Sequence, residues 1–200
     1  MKKFVCAVAL AGLLAAFAAQ AAVTPPDALV KQTVDEVMVV IKQSKDKRTL
    51  HDLAEKKVLP NFDFREMTIL AVGKHWRQAS EAQRKALENG FRSLLVSTYT
   101  AALSSSTSTN YTVEVKPAEL KPGDKETMVR TTVTQAGRQP IPIDYRMTLT
   151  SGGWKVYDVV VENLSLVTNY RSSFNSEISR SGIDGLIKTI ETKNQRLAEG

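Results

Sequence analysis

The hydrophobic pattern changes its period near the middle of the chain, and this change restricts the folds available to it. Residues 26–103 repeat apolar side chains every three or four positions, which is typical of helices that bury one face. Residues 111–161 instead alternate apolar and polar side chains, which is typical of antiparallel strands joined by short turns. The helical period returns over residues 164–198, with a break at Ser181 and Gly182. This order of helices, sheet and helices predicts an α+β fold.

The predicted sheet is a curved antiparallel meander of about four strands, at 111–115, 126–135, 141–149 and 154–161. We expect helices from both ends of the chain to pack against it and to enclose a cone-like apolar space. The side chains expected to face this space are Phe91, Leu94, Leu95, Tyr99, Ile143, Tyr145 and Met147. Such residues form ordinary cores by default, but they also suit adaptable apolar pockets, so the pattern leaves both interpretations open.

Local signals mark the ends of the predicted helices. One helix is predicted over residues 47–58. Gly73 is well placed to be the C-cap of a short helix that follows. Ser80 and Gln83 have the spacing of a capping box and open the longest predicted helix.

The first 21 residues contain the three parts of a cleavable signal peptide. Lys2 and Lys3 form a basic start, residues 4–19 form an apolar run, and Ala19 and Ala21 flank a small-x-small cleavage site. The run is too short and too rich in alanine to span a membrane, which takes about 20 strongly apolar residues. We therefore expect an exported protein, with a signal peptide at 1–21 and a single domain at 22–200.

The composition of the expected mature chain excludes several kinds of chemistry. Cys6, the only cysteine, lies in the predicted signal peptide, so no thiol nucleophile or thiolate metal site remains. His51 and His75, the only histidines, have predicted surface or capping roles, and no hydrolase, zincin, dinucleotide or Walker motif is present. Of the 27 basic residues, 25 remain against 21 acidic ones. In an exported protein this balance favours anionic lipid surfaces or acidic proteins over nucleic acid.

Asp158 is the candidate for catalysis that stands out, because it interrupts the apolar strand at 154–161. A buried acid here could act as a base, as in isomerases built on similar cones of helices and curved sheet. Alternatively, it could accept hydrogen bonds from backbone N–H groups or pair with a base such as Arg171. An acid without a partner histidine or a second carboxylate is weak evidence for catalysis, so we favour the structural role.

Eight segments together resemble a known family. In chain order they are VLPNFDF at 58–64, LAVGKHWR at 70–77, SEAQR at 80–84, FRSLL at 91–95, WKVYDV at 154–159, NLSLV at 163–167, YRSSF at 170–174 and GIDGLI at 182–187. Their order and spacing are similar to those of the MlaC family, also called the toluene-tolerance family, of periplasmic phospholipid-binding proteins. The resemblance spans about residues 30–190. The chain departs from the family pattern at Val72, where leucine is commoner, and at Asn163, where glycine is expected in a turn.

The resemblance implies a soluble periplasmic carrier with no enzymatic activity and no cofactor, whose bound ligand is phospholipid. It implies transport between an outer-membrane lipoprotein complex and an inner-membrane ABC transporter with an MCE-domain subunit, in support of outer-membrane lipid asymmetry. We expect a monomer that binds no nucleic acid. The apolar cone is then interpreted as a pocket for acyl chains. Its expected lining is Phe91, Leu94, Leu95, Tyr99, Ile143, Tyr145, Met147, Val156, Tyr170 and Phe174, with Arg171 at the mouth.

Two other functions fit the same fold. One is an enzyme that acts on a small apolar molecule inside the cone, with Asp158 as the base. The other is a lipid-free adaptor of a membrane complex. Phospholipid that co-purifies with the protein would separate the carrier from both.

Overall fold

Helices come first along the chain, as the hydrophobic period predicts. The computed structural model describes residues 23–44, 46–105 and 110–199, so the predicted signal peptide lies outside the described residues. The helices before the sheet are α1 at Pro26–Gln43, α2 at Lys47–Leu53, α3 at Phe64–Val72 and α4 at Glu81–Ser105. The helix predicted over 47–58 differs in its second half, where α2 gives way to a π-helical turn at Ala54–Val58 and a 3-10 turn at Leu59–Asn61. Pro60 cannot donate a backbone hydrogen bond, so the α-helix cannot continue regularly through it.

The predicted helix caps are confirmed. Gly73 ends α3 with a φ of 61°, a backbone conformation that favours glycine. At the start of α4, the Ser80 N–H donates to Gln83 Oε1 at 2.9 Å, and the Gln83 N–H donates to Ser80 Oγ at 3.2 Å. These reciprocal bonds are those of a capping box, and they satisfy N–H groups that the first helical turn cannot pair.

The sheet is antiparallel, with its strands side by side in chain order, as predicted. Its strands within the described residues are β1 at Tyr111–Val115, β2 at Glu126–Gln135, β3 at Ile141–Thr150, β4 at Gly153–Val161 and β5 at Leu164–Ser165. The two-residue strand β5 is an addition to the four that were predicted. It leads directly into the last helix, α5, at Leu166–Glu199, whose predicted break falls at Gly182 with a φ of 74°.

A two-residue turn joins β4 to β5. Glu162 and Asn163 have φ values of 49° and 66°, both in the left-handed region. Two such residues in succession make the type I′ turn that suits the twist of a tight hairpin. Because asparagine tolerates this conformation better than most residues, Asn163 occupies the turn in the place where the family pattern has glycine.

Strand β4 contains a bulge opposite the junction of Arg146 and Met147 in β3. Arg146 pairs with Asp158, but Met147 pairs with Val156, so Tyr157 is an extra residue in β4. A bulge of this kind leaves two successive residues opposite one partner and interrupts the alternation of side chains. The two halves of β4 therefore present different sets of positions to the same face of the sheet.

Two groups of buried apolar side chains hold the fold together. The helical core lies between α3, α4 and α5, and includes Met67, Leu87, Phe91, Phe174 and Leu186. The sheet core lies between α1 and the sheet, and consists of Val30, Val129, Met147, Trp154 and Val156, with partly buried neighbours. Within the described ranges, no helix has both the length and the apolarity needed to cross a membrane.

Candidate functional site

A cavity of about 620 Å³ lies between the sheet and the helices α1, α2 and α4. The wall from α1 is one apolar face, with Val30, Val34, Val37, Met38 and Ile41 at the three- and four-residue spacing of a helix. The other walls come from the segment after α2, from the C-terminal half of α4 and from strands β1 to β4. Among the described residues, none that lines the cavity has a charged side chain.

The size of the cavity distinguishes it from a packing fault. An empty space left in a core costs about 24 cal/mol per Å³. A dry void of 620 Å³ would thus cost about 15 kcal/mol, which reaches the upper end of the net stabilities of folded domains, about 5–15 kcal/mol. The volume instead lies in the range of about 300–1,000 Å³ that ligand sites occupy. The apolar wall would bind hydrocarbon.

Polar groups in the cavity wall are few, and one pair is bonded within the wall. The Asn61 side-chain amide donates to the Thr33 hydroxyl at 2.9 Å and to the Lys57 carbonyl at 3.0 Å, which ties α1 to the 3-10 turn. On β3, burial raises the pKa of the Tyr145 phenol. Since the ordinary pKa of tyrosine is already about 10, Tyr145 is neutral at pH 7. The wall therefore offers hydroxyl groups to a ligand but no charge.

Six of the ten residues predicted to line a pocket do line this cavity. They are Leu95, Tyr99, Ile143, Tyr145, Met147 and Val156. Leu95 and Tyr99 reach the cavity from the C-terminal half of α4, and the other four reach it from the face of β3 and β4 that lines the cavity.

The other four predicted lining residues lie elsewhere. Phe91, Leu94, Tyr170 and Phe174 belong to the helical core or pack against it. The Phe91 ring makes edge contacts with Tyr170 and Phe174, at centroid distances of 5.0 and 5.2 Å. They do not line the cavity because α5 packs against the N-terminal half of α4 and covers that part of its apolar face. A role for them in lipid binding stays a prediction.

Sequence reasoning missed the α1 wall and the second half of β4. The apolar stripe of α1 was visible in the sequence, but nothing in its spacing tells a cavity wall from a core face. Val159 and Val161 line the cavity together with Val156, a combination that strict alternation cannot place on one face. The bulge at Tyr157 explains it, because it shifts the cavity-facing positions of β4 by one residue.

The bulge also turns Asp158 away from the cavity. The carboxylate of Asp158 is buried, with 2% of the residue exposed. It accepts hydrogen bonds from the Ser165 hydroxyl at 2.7 Å and from the Val167 backbone N–H at 3.2 Å, and Arg146 lies 3.4 Å from it. Asp158 thus holds the first turn of α5 to the sheet. It is not placed to act as a base on a molecule in the cavity.

Of the structural alternatives for Asp158, the hydrogen bond from a backbone N–H is present, whereas the base beside it is Arg146 and not Arg171. Arg146 takes that place because it is the cross-strand partner of Asp158 on β3. The guanidinium of Arg171 lies instead against the backbone of Gly73, with Nε 3.1 Å from the position that a Cβ would occupy. Arg171 does not line the cavity, and its assignment to the mouth stays a prediction.

Comparison with known proteins agrees with this geometry. The sequence model of a family described as MlaC protein matches residues 31–192. The chain belongs to the MlaC family. The chain is 27% identical over 177 residues to the intermembrane phospholipid transport system binding protein MlaC of Haemophilus influenzae, an alignment that covers 84% of this chain and 81% of that protein.

Another relative is the toluene tolerance protein ttg2D of Pseudomonas putida, which is 29% identical over 188 residues, with 90% of this chain and 85% of that protein covered. A phospholipid-binding protein from Ralstonia solanacearum, solved in complex with a phospholipid, has the same fold, with a TM-score of 0.79. That protein is 35% identical, and the match covers 88% of this chain and 99% of the solved one. The predicted family and fold class are therefore confirmed.

Proposed function

We propose that this chain is a periplasmic carrier that holds the acyl chains of a phospholipid in its apolar cavity. The observation that carries the proposal is the cavity itself, a space of about 620 Å³ whose described lining has no charge. The lipid complex of the Ralstonia solanacearum protein, which shares the fold, supports the same ligand class. A phospholipid would place its tails in the cavity and leave its polar headgroup towards water.

The free energy of hydrocarbon in water explains why such a carrier is needed. Each buried CH₂ is worth about 0.8 kcal/mol, so exposing two chains of about 16 carbons would cost roughly 25 kcal/mol. The cavity removes most of this cost. Since bilayer and cavity are both apolar, transfer between them is nearly isoenergetic, and the docking partners must set the direction of transport.

The N-terminal segment supports the proposed compartment. Residues 1–21 act as the signal peptide in this proposal, and residues 22–200 form one lipid-binding domain. A lipid needs a soluble carrier in the aqueous space between two membranes. The carrier would act there as a monomer, between an outer-membrane lipoprotein complex and the MCE-domain subunit of an inner-membrane ABC transporter. It would thereby support the lipid asymmetry of the outer membrane.

The proposal assigns no enzymatic reaction and no cofactor to the chain. Asp158, the acid considered for catalysis, faces α5 and is engaged by Ser165 and Val167. In the part of the chain that the structure describes, no group of three or more histidine, cysteine or acidic side chains could hold a metal ion.

Analysis of the bound lipid tests the proposal. The full-length chain is expressed with its own signal peptide, and the mature protein is isolated from the periplasm and extracted with organic solvent. Mass spectrometry of the extract should find phospholipid. An extract without phospholipid would refute the carrier.

A pair of variants on α1 links the lipid to the cavity. Val37 lines the cavity, whereas Val39 on the same helix is 54% exposed. Val37→Trp fills part of the cavity and should lower the amount of phospholipid per protein. Val39→Trp adds the same side chain on the solvent side and should leave the amount unchanged. Equal lipid content in the two variants would contradict the cavity as the binding site.

A further inference from the structure

The pairing of residues between neighbouring strands defines two ends of the sheet face that lines the cavity. At one end, Thr150 pairs with Gly153 across the tight turn between β3 and β4. At the other end, Ile143 pairs with Val161, and Val161 pairs with Leu164 in β5. The side chains at one end are buried and those at the other end are exposed, so the two ends of the cavity can be told apart.

The end near the β3–β4 turn is closed by packed side chains. Val30 of α1 meets Val129, Met147, Trp154 and Val156 of the sheet, and each of these residues is at most 6% exposed. Met147 and Val156 belong both to this cluster and to the lining of the cavity. The sheet core therefore forms the floor of the cavity.

The opposite end exposes large apolar side chains. Leu164 is 74% exposed, Ile141 is 38% exposed and Tyr99 is 45% exposed. Residues paired directly across an antiparallel sheet point to the same face. Leu164 therefore shares the face of Val161, and Ile141 shares the face of its partner Val133, and both of these valines line the cavity. The exposed side chains thus continue the apolar cavity surface out to the solvent.

Hydroxyl groups also gather at this exposed end. Tyr99, Thr100 and Tyr111 line the cavity, and Tyr111 lies at this end of the sheet because it pairs with Gln135, two residues beyond Val133. Tyr99 also lies near Tyr170, in the first turns of α5, and α5 begins directly after β5. The join between the tails and the headgroup of a phospholipid carries ester oxygens that accept hydrogen bonds, and hydroxyl groups can donate to them.

We infer that the cavity opens at the rim formed by Tyr99, Ile141 and Leu164, and that a phospholipid binds with its glycerol esters at this rim and its tail ends at Trp154. This orientation rests on the proposed function and goes beyond it by assigning the two ends of the ligand. The type I′ turn at Glu162 and Asn163 fixes the position of Leu164 at the rim. Leu164 and Ile141 cover the first carbons of the tails, and Tyr99 contacts the esters.

Fluorescence quenching by two labelled lipids tests the orientation. One probe is phosphatidylcholine with a nitroxide on its headgroup, and the other carries the nitroxide at the end of an acyl chain. Because the mature chain has no cysteine, Leu164→Cys allows a fluorophore to be attached at the rim alone. Leu120→Cys is the matched control, since Leu120 is 41% exposed but lies outside the cavity lining. Trp154 reports on the floor in a Trp76→Phe background.

The expected result is that the headgroup label quenches the fluorophore at position 164 more than the tail label does, and that Trp154 shows the opposite order. The fluorophore at position 120 should lose little fluorescence with either lipid. The reversed order, or equal quenching by both labels, would overturn the orientation. Solvent extraction of the unsubstituted protein separates this outcome from failure of the proposed function, which would show as an absence of bound lipid. Ile141→Cys replaces Leu164→Cys if the latter does not fold.

Discussion

Replacement of Asp158 by alanine should destabilise the protein without changing its lipid content. The change removes the acceptor for the buried Val167 N–H and for the Ser165 hydroxyl. The unsatisfied Val167 N–H costs about 1–3 kcal/mol, and the lost hydrogen bond from the Ser165 hydroxyl costs about 0.5–1.5 kcal/mol. The 3.4 Å contact with Arg146 adds little, since the Arg146 side chain is 46% exposed. We expect a loss of about 2–4 kcal/mol in the free energy of unfolding.

Urea and thermal denaturation followed by circular dichroism measure this loss. In a domain of this size, about 1 kcal/mol corresponds to a Tm change of 2–4 °C, so the Tm should fall by roughly 5–15 °C. Asp144→Ala is the matched control, because Asp144 lies on the same face of the neighbouring strand, opposite Val160, and should change the stability by at most about 0.5 kcal/mol. The reasoning is refuted if Asp158→Ala is as stable as the unsubstituted protein. It is refuted equally if the folded variant has lost its lipid.

Three further predictions follow from contacts elsewhere in the fold. Gly73→Ala should lower the free energy of unfolding, measured by urea denaturation, by at least about 1 kcal/mol. Gly73 has a φ of 61°, and a Cβ there would lie 3.1 Å from the Arg171 guanidinium. Unchanged stability would contradict this packing. Gly90→Val should lower the Tm by separating α4 from α5, since even a Cβ at Gly90 would lie 2.9 Å from Ile190. A Tm equal to that of the unsubstituted protein would show that the two helices are not so close. Burial and two neighbouring carboxylates raise the pKa of Glu66, so its protonation stabilises the fold at low pH and this contribution disappears as the pH rises. Glu66→Gln should therefore be more stable than the unsubstituted protein at pH 7 but not at pH 3.5. A gain in stability of equal size at both pH values would show that the charge on Glu66 is not its cause.

Local signals in the sequence predicted most of the secondary structure. The capping box at Ser80 and Gln83 and the C-cap at Gly73 involve only neighbours along the chain, so their residue types are sufficient to place them. The strands β1 and β2 coincide with their predicted ranges for the same reason, because alternation is a local property. The two-residue strand β5 has no such pattern and depends on pairing with β4.

The candidate site could be predicted only in part, because it depends on which elements pack together. Phe91 and Leu95 lie four residues apart on the same face of α4, and the periodicity gives them the same role. In the structure, Phe91 packs in the helical core and Leu95 lines the cavity. The difference comes from α5, which covers one half of α4. That contact joins residues far apart in the chain, and no local pattern reports it.

The bulge in β4 determines how the sequence of this strand can change over evolution. Before it, even-numbered positions such as Val156 face the cavity, and after it, odd-numbered positions such as Val159 face the cavity. A β4 with unbroken alternation would send Asp158 into the cavity and Val159 out of it. One irregular residue thus keeps a carboxylate away from the hydrocarbon. A relative that lacks the residue at Tyr157 would regain unbroken alternation and still face its acid away from the cavity, whereas a relative that loses the bulge at constant strand length would bring the acid in.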